Sequence, residues 1–415
     1  MKYQDRFKEI ADFLKPYQRI WENEIMLLYP NPLSDYNSQW IEELSQIKDE
    51  KDVIRLEMKD YHGLIHSPTL INFYQEIEHL CRVNTPPTTE LFPSERLSFL
   101  YIIPKKEHEI RQLAPLVNNY YQAHKINKII DIGGGVGHLA QSISNHYNIK
   151  SISLDMDEAL QKRGQAIHTK KAGKGQQEVE YHQVKVDPEN SKFKALLEPE
   201  DMTIGLHTCG ALANYQMMAS AQSQIKFIIN FGCCYHKMFY QENSQNISAY
   251  SKTLESQITL NNFALTLSTR AHKKMNEKDY QLKLKVKFFR YAFHILLHDH
   301  YDIKELVGLG NSSPRLYEEN FSTYALEQFT RLKLKPKHSS KELDLFFQEP
   351  RVQELIWKML SAGLIRNALG RLLELYILLD RVCYLEEQGY QCELHEVFNE
   401  TVSPRNLGIF ALRRA

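Results

Sequence analysis

A chain of 415 residues is long enough for two or three domains and a large core. Lys plus Arg (51) balances Asp plus Glu (51), so no net field draws the whole chain onto nucleic acid or an anionic membrane. A hydrophobic fraction of 43% with 25% charge is that of a folded globular protein, and six cysteines are too few for a disulfide scaffold, which excludes the small secreted classes and points to a reducing, cytoplasmic compartment.

The N-terminal stretch MKYQDRFKEIADFLKPYQRIW mixes charges throughout and lacks an apolar core, so it does not read as a secretory signal. No apolar run reaches transmembrane length, and no membrane partner is expected. Residues 1–100 read as a helical region. Phe7, Ile10, Phe13 and Leu14 recur at helical spacing, and Pro30, Pro32, Pro68, Pro86, Pro87 and Pro93 keep the helices short.

From residue 101 to 269 the pattern alternates. A helix over 103–123 leads into a strand over 128–132, a helix over 136–147, a strand over 150–154 and a helix over 157–171. Strands over 179–186 and 202–206, a helix over 211–221 and a strand over 226–231 follow. Alternating β and α segments with short links predict a parallel sheet with helices on both faces. Residues 270–365 read as helical, and taking them as an insertion before the last strands rests on fold analogy. Residues 366–415 then supply a helix over 372–385 and two last strands, over 391–398 and 407–413.

The chemistry gathers at strand ends. Asp131-Ile132-Gly133-Gly134-Gly135-Val136-Gly137 is a glycine turn between the first strand and its helix, the opening of a nucleotide-cofactor fold. A dinucleotide fingerprint, G-x-G-x-x-G, would place its third glycine at His138, which disfavours a nicotinamide-dependent oxidoreductase. The pattern is instead D-x-G-x-G-x-G. It resembles motif I of class I S-adenosylmethionine-dependent methyltransferases. Asp155, at the end of the second strand, is placed to take the hydroxyls of a ribose, with Asp157 as the alternative acid. Asp187, before Pro188, reads equally as an acceptor for an adenine amine or as a surface turn acid.

Two further blocks sit at the ends of the fourth and fifth strands: His207-Thr208-Cys209-Gly210 and Gly232-Cys233-Cys234-Tyr235-His236-Lys237. In a parallel sheet both open on the ligand side. His207, Cys209, Cys234, Tyr235 and His236 are the candidates for contact with the methyl acceptor. The alternative is that the cysteines are small core residues and the histidines are satisfied locally. Adjacent cysteines chelate one tetrahedral ion poorly and no C-x-x-C occurs, so no metal site is expected.

The motifs PKKEHEI, DIGGGVGHLAQSIS, LHTCGALA, NFGCCYHKM, LLDRVCYLEEQGY and SPRN together resemble one family. It is the methyltransferase-domain family that includes methyltransferase-like protein 25 and the ribosomal RNA adenine dimethylase domain-containing protein. The resemblance runs from about residue 93 to the C-terminus, with the insertion poorly matched. It implies a class I Rossmann-like α/β fold that binds S-adenosyl-L-methionine. By position it assigns Asp131, Gly133, Gly135, Gly137 and His138 to the cofactor loop and Asp155 to the ribose. It also sets Lys105, Lys106, His108 and Glu109 in a family block. No NPPY-type motif follows the fourth strand, so methylation of a base amine is not implied.

The resulting expectation is an S-adenosylmethionine-dependent methyltransferase whose acceptor is RNA or protein rather than a small molecule. Basic stretches at Lys283, Lys285, Lys287 and Arg290, and at Arg331, Lys333, Lys335, Lys337 and Lys341, favour a macromolecule if they contact phosphates. As solvated faces they carry no such meaning. The competing reading is a non-catalytic binding or scaffold protein that retains the fold.

Overall fold

The computed structural model describes residues 2–87, 90, 92, 102–171, 178–240, 244–270 and 275–414. Pro93 and the rest of 93–101, where the family resemblance begins, lie outside them, as does the start of the insertion at 271–274. The chain divides into two units, one of residues 1–15, 80–273 and 372–415 and one of residues 16–79 with 274–371.

The first unit holds a seven-stranded sheet. Its strands are β1 (Ile129–Ile132), β2 (Ser151–Asp155), β3 (Val179–Gln183), β4 (Met202–Cys209), β5 (Phe227–Cys233), β6 (Tyr390–Glu396) and β7 (Leu407–Arg413), in the order β3-β2-β1-β4-β5-β7-β6. The five strands β1 to β5 pair in parallel, and β7 runs antiparallel between β5 and β6. This is the class I Rossmann-like methyltransferase sheet that the sequence implied. The central strands are buried along their whole length, as strands covered on both faces must be. One core layer joins Ile110, Leu113 and Val117 of helix Pro104–Ala123 and Leu139 and Ile143 of helix His138–Tyr147 to Ile129, Ile204, Ile229, Phe231 and Phe410 of the strands.

Element limits differ from the expected ones for local physical reasons. The helix expected from residue 136 starts at His138, because Gly135 (φ 60°) and Gly137 (φ 72°) hold left-handed backbone that no helix continues. The third strand ends at Gln183 rather than 186, since its partner β2 ends at Asp155, which faces Gln183 in register. The fourth strand runs on to Cys209 rather than stopping at Leu206, through a bulge at His207.

The first fifteen residues group with the sheet rather than with residues 16–79, so the expected N-terminal helical region of 1–100 is not one unit. The Phe7 ring lies 4.8 Å from that of Tyr376, and the Leu394 N–H on β6 donates to the Tyr3 hydroxyl at 2.9 Å. Asn84 also covers that edge, its carbonyl accepting from the Glu396 N–H at 2.9 Å. An otherwise open strand edge is thereby capped.

The second unit is helical. Asn37 and Asp49 cap helices Ser38–Gln46 and Glu50–Glu57, and Ser339 with Glu342 forms a capping box on helix Ser340–Gln348. Glu57 is buried at the end of its helix and takes two cations from helix Glu277–Tyr301: Lys283 Nζ at 2.8 Å and Lys287 Nζ at 3.1 Å. Burial alone would raise the Glu57 pKa. The two ammonium groups more than reverse that and bring it to about 2. Two of the four cations of the first basic stretch are therefore spent inside the unit. Arg290 bonds the Gly310 carbonyl.

Glu57→Ala leaves two half-buried ammonium groups without their counter-ion. The expected loss is about 2–4 kcal/mol in this unit. Hydrogen exchange along Glu277–Tyr301 measures it, and unchanged protection there would refute the pairing.

Candidate active site

The glycine turn is a cradle built by conformation and by lack of side chains. Gly133, Gly135 and Gly137 all have φ between 60° and 72°. A Cβ on Gly134 would stand 2.6 Å from Ser153 Oγ and 2.7 Å from Asp131 Oδ2, and one on Gly137 would stand 2.8 Å from the Tyr181 ring. A Cβ on Gly135 would meet only Leu160, at 3.9 Å, so that side of the loop is open to a ligand. Gln161 Nε2 donates to the Gly135 carbonyl at 2.7 Å and fixes the loop from below. Gly137 is the N-cap of helix His138–Tyr147, so His138 is the first residue of that helix.

Asp131 lies within β1 beneath the loop and is 3% exposed. Its Oδ2 is buried without a hydrogen-bond partner, and burial pushes its pKa up to about 6. Asp155 closes β2, its Oδ2 accepting from the Gly135 N–H at 2.9 Å and its Oδ1 from the Asp157 N–H at 2.9 Å. Asp157 itself caps the next helix through the Ala159 N–H, which settles which of the two acids faces the loop. Asp187 accepts from the Glu189 N–H at 3.1 Å and pairs with Lys185 at 3.2 Å. The Glu189 bond is the main reason its carboxyl is held below the ordinary range. Both of its oxygens are thus engaged in its own turn.

The ends of β4 and β5 carry the second half of the site. His207 has φ 68° and forms the bulge in β4. Its Nε2 donates to Glu109 Oε1 at 2.7 Å. Glu109 is 1% exposed and also accepts from Ser403 Oγ at 2.6 Å, with Lys105 Nζ at 3.4 Å. Burial would raise the Glu109 pKa, but the His207 hydrogen bond and, at the acid pH where Glu109 titrates, the His207 charge, with the Ser403 hydrogen bond and the Lys105 charge, bring it to about 2. Burial lowers the His207 pKa, so the ring is neutral at pH 7 while its carboxylate partner is ionised. A neutral imidazole whose Nε2–H is fixed by a carboxylate presents Nδ1 as a proton acceptor.

The bulge shifts register so that Cys209 faces Cys233 across β4 and β5, with Sγ atoms 3.3 Å apart. Cys234 follows with φ 50°, and the thiols of Cys209, Cys233 and Cys234 all lie within 4.8 Å of one another. Hydrogen bonds from Cys209 and Cys233, then the Arg405 and His236 charges, lower the Cys234 pKa.

Tyr235 does not join this group. It is 0% exposed, and its hydroxyl bonds Glu374 Oε1 at 3.1 Å and the Gly232 carbonyl at 3.2 Å. The hydroxyl is thereby directed to helix Gly370–Glu387, away from any acceptor at the strand ends. His236 is half-buried, with Nδ1 buried and without a hydrogen-bond partner.

Sequence reasoning missed Ser403, Arg405, Glu374 and Arg381 as parts of this machinery. Arg381 is fully buried, donates from Nε to Asn214 Oδ1 at 2.9 Å and lies over the Tyr235 ring. The SPRN and LLDRV motifs were the available signal for three of them, Ser403, Arg405 and Arg381. Lys105 and Glu109 belong to the block that the resemblance singled out, and His108 accepts the Asn399 N–H at 3.1 Å.

Glu109 yields a pH prediction. Its folded pKa lies below its unfolded value. Its stabilising contribution is therefore full above about pH 4.5 and is lost as pH falls toward 2, worth about 3 kcal/mol in total. In denaturant melts the stability gap between the native protein and Glu109→Gln should narrow between pH 5 and pH 3. Parallel pH profiles for the two would contradict the assignment.

Residues 105–241 match the family described as "Methyltransferase domain". The chain is 25% identical over 236 residues to the probable methyltransferase-like protein 25 of Mus musculus, and 25% identical over 232 residues to its Homo sapiens counterpart. Each match covers 51% of this chain and 37% of the relative. The chain therefore matches well under half the length of these relatives. A crystal structure of coclaurine N-methyltransferase bound to N-methylheliamine and SAH aligns over 90% of this chain and 97% of that one, with 13% identity and a TM-score of 0.25, too low to bear on either fold or activity. The matched residues are those that carry the glycine loop, the bulge of β4 and the cysteine block, so over residues 105–241 the chain is similar to a methyltransferase domain.

Proposed function

We propose that the sheet unit is an S-adenosylmethionine-dependent methyltransferase, with the donor across Gly133–Gly137 and an RNA or protein acceptor at the ends of β4 and β5. One observation carries the reading: an open-sided loop of left-handed glycines stands beside Asp155 at the C-terminal ends of β1 and β2.

The residues fit the donor. Each Asp155 oxygen accepts one backbone N–H and keeps a lone pair for a ribose hydroxyl. The unpartnered Asp131 Oδ2 places negative charge beneath the loop, which favours a cationic ligand over a pyrophosphate. When bound, the donor supplies a methyl group on a sulfonium. The protein's part is to position an acceptor in line with it and, where the acceptor carries a proton, to remove it. His207 Nδ1 is the base for that step, with Glu109 orienting the ring. The engaged oxygens of Asp187 leave it a turn residue rather than an adenine contact.

For a macromolecular acceptor, Lys333, Lys335 and Lys341 remain exposed, whereas Lys283 and Lys287 serve Glu57. Among the described residues no helix is long and apolar enough to cross a membrane. Six free thiols suit a reducing cytoplasm. A non-catalytic binding protein is the second reading, favoured by the Gly135 and Asp157 N–H bonds that already satisfy Asp155 in part.

Calorimetric titration separates the two. S-adenosylmethionine and S-adenosylhomocysteine should bind with saturation and NAD should not. Asp155→Ala should weaken both by about tenfold to a hundredfold, the worth of hydrogen bonds to a charged group. Absence of binding in folded, ligand-free protein would leave the scaffold reading standing.

A further inference from the structure

Cys209, Cys233 and Cys234 come from two strands and present three sulfurs to one point. The Cys209 and Cys233 sulfurs stand 3.3 Å apart, and no pair of the three exceeds 4.8 Å. Two sulfurs bound to one tetrahedral zinc at about 2.3 Å stand about 3.8 Å apart, within that span. A disulfide needs about 2.05 Å and consumes cysteines in pairs, so it cannot account for a trio. The objection that adjacent cysteines cannot share one ion assumes strand alternation. Here the strand ends at Cys233, and the left-handed turn at Cys234 (φ 50°) breaks the alternation that would send the two side chains to opposite faces.

The arrangement is also rigid and electrostatically prepared. The β4 bulge at His207, held by buried Glu109, is what sets Cys209 opposite Cys233. Arg405 and His236 both act electrostatically on Cys234. Arg405 Nε and His236 Nδ1 are both buried without a hydrogen-bond partner. Three thiolates around a divalent ion leave one net negative charge, and a guanidinium alongside offsets it. Cys383 and Cys392 show the contrast. Each is buried, and neither belongs to a group of metal-ligating side chains among the described residues.

We propose that Cys209, Cys233 and Cys234 bind a thiophilic divalent cation of the zinc class as thiolates, with the fourth coordination position open to an exchangeable ligand. No fourth histidine, cysteine or carboxylate among the described residues joins the trio, and Cys209 and Cys234 are only half-buried, so a water or a substrate thiol can reach the ion. Three protein ligands with one open position is the arrangement of a reactive zinc site rather than a closed structural one. Binding releases the thiol protons to solvent, one for each sulfur that was protonated. The site stands independently of the methyl-donor reading.

The test is anaerobic titration of the reduced full chain with Co²⁺, with no donor present. The expected result is a thiolate-to-cobalt charge-transfer band in the near ultraviolet, with intense tetrahedral visible bands. Both should saturate at one equivalent and be erased by Zn²⁺, which binds such sites more tightly than Co²⁺. Cys209→Ser and Cys234→Ser should each weaken Co²⁺ binding at least about tenfold, because a hydroxyl is a poor ligand for a thiophilic ion. Cys81→Ser should leave the titration unchanged, and circular dichroism on every variant separates loss of ligand from loss of fold. A folded native protein without the charge-transfer band would overturn the site. So would a band that survives in the Cys209→Ser, Cys234→Ser double variant.

Discussion

The buried carboxylate of Glu109 is the constraint on which the strand-end chemistry depends. It sits on helix Pro104–Ala123 and collects donors from the bulge of β4, from Ser403 before β7 and from Lys105 one turn away. A charge so placed is tolerable because His207 and Ser403 give it hydrogen bonds and Lys105 a positive charge. In return it holds His207 in left-handed backbone, which costs a non-glycine residue about 1–3 kcal/mol. That single residue of slippage decides which side chains of β4 meet those of β5.

The two halves of the site follow different logics. The glycine loop works by subtraction, since Gly134 and Gly137 have no room for a Cβ and Gly135 has open space beside it. The ends of β4 and β5 work by addition, crowding a histidine, three thiols and an arginine around one bulge. Helix Gly370–Glu387 serves the second half from behind. Glu374 and Arg381 hold Tyr235, and Asp380 accepts from the Ile247 and Ser248 N–H groups and so ties down the chain that follows the cysteine block.

The sheet was legible in the sequence because its signals are local and repeated. Apolar runs, glycine at the first turn and an acid at the end of β2 each occur where the fold requires them. The return of the last two strands was legible only through the resemblance. The bulge at His207 was not readable, since strand periodicity says nothing of a residue that steps out of the pleat. Glu109 was hidden in the charged run KKEHEI, which alone reads as a solvated helix face although one of its charged members is buried. Tyr235 misled in the opposite direction. Its place beside two cysteines suggested an acceptor contact, yet its ring fills the space between β5 and helix Gly370–Glu387. The basic stretch at 283–290 carried too little information to reveal that Glu57, far away in sequence, claims half of it.

The strand order has a consequence for the way the protein is made. The strand β7 lies between β5 and β6, yet it is synthesised after both. On the ribosome the β5 edge therefore stays unpaired while the whole 274–371 segment and β6 emerge, and β6 has no sheet neighbour until the last strand arrives. Closure of this sheet is a late, long-range event. An open hydrophobic edge persists until then, the situation in which nascent chains depend on chaperones.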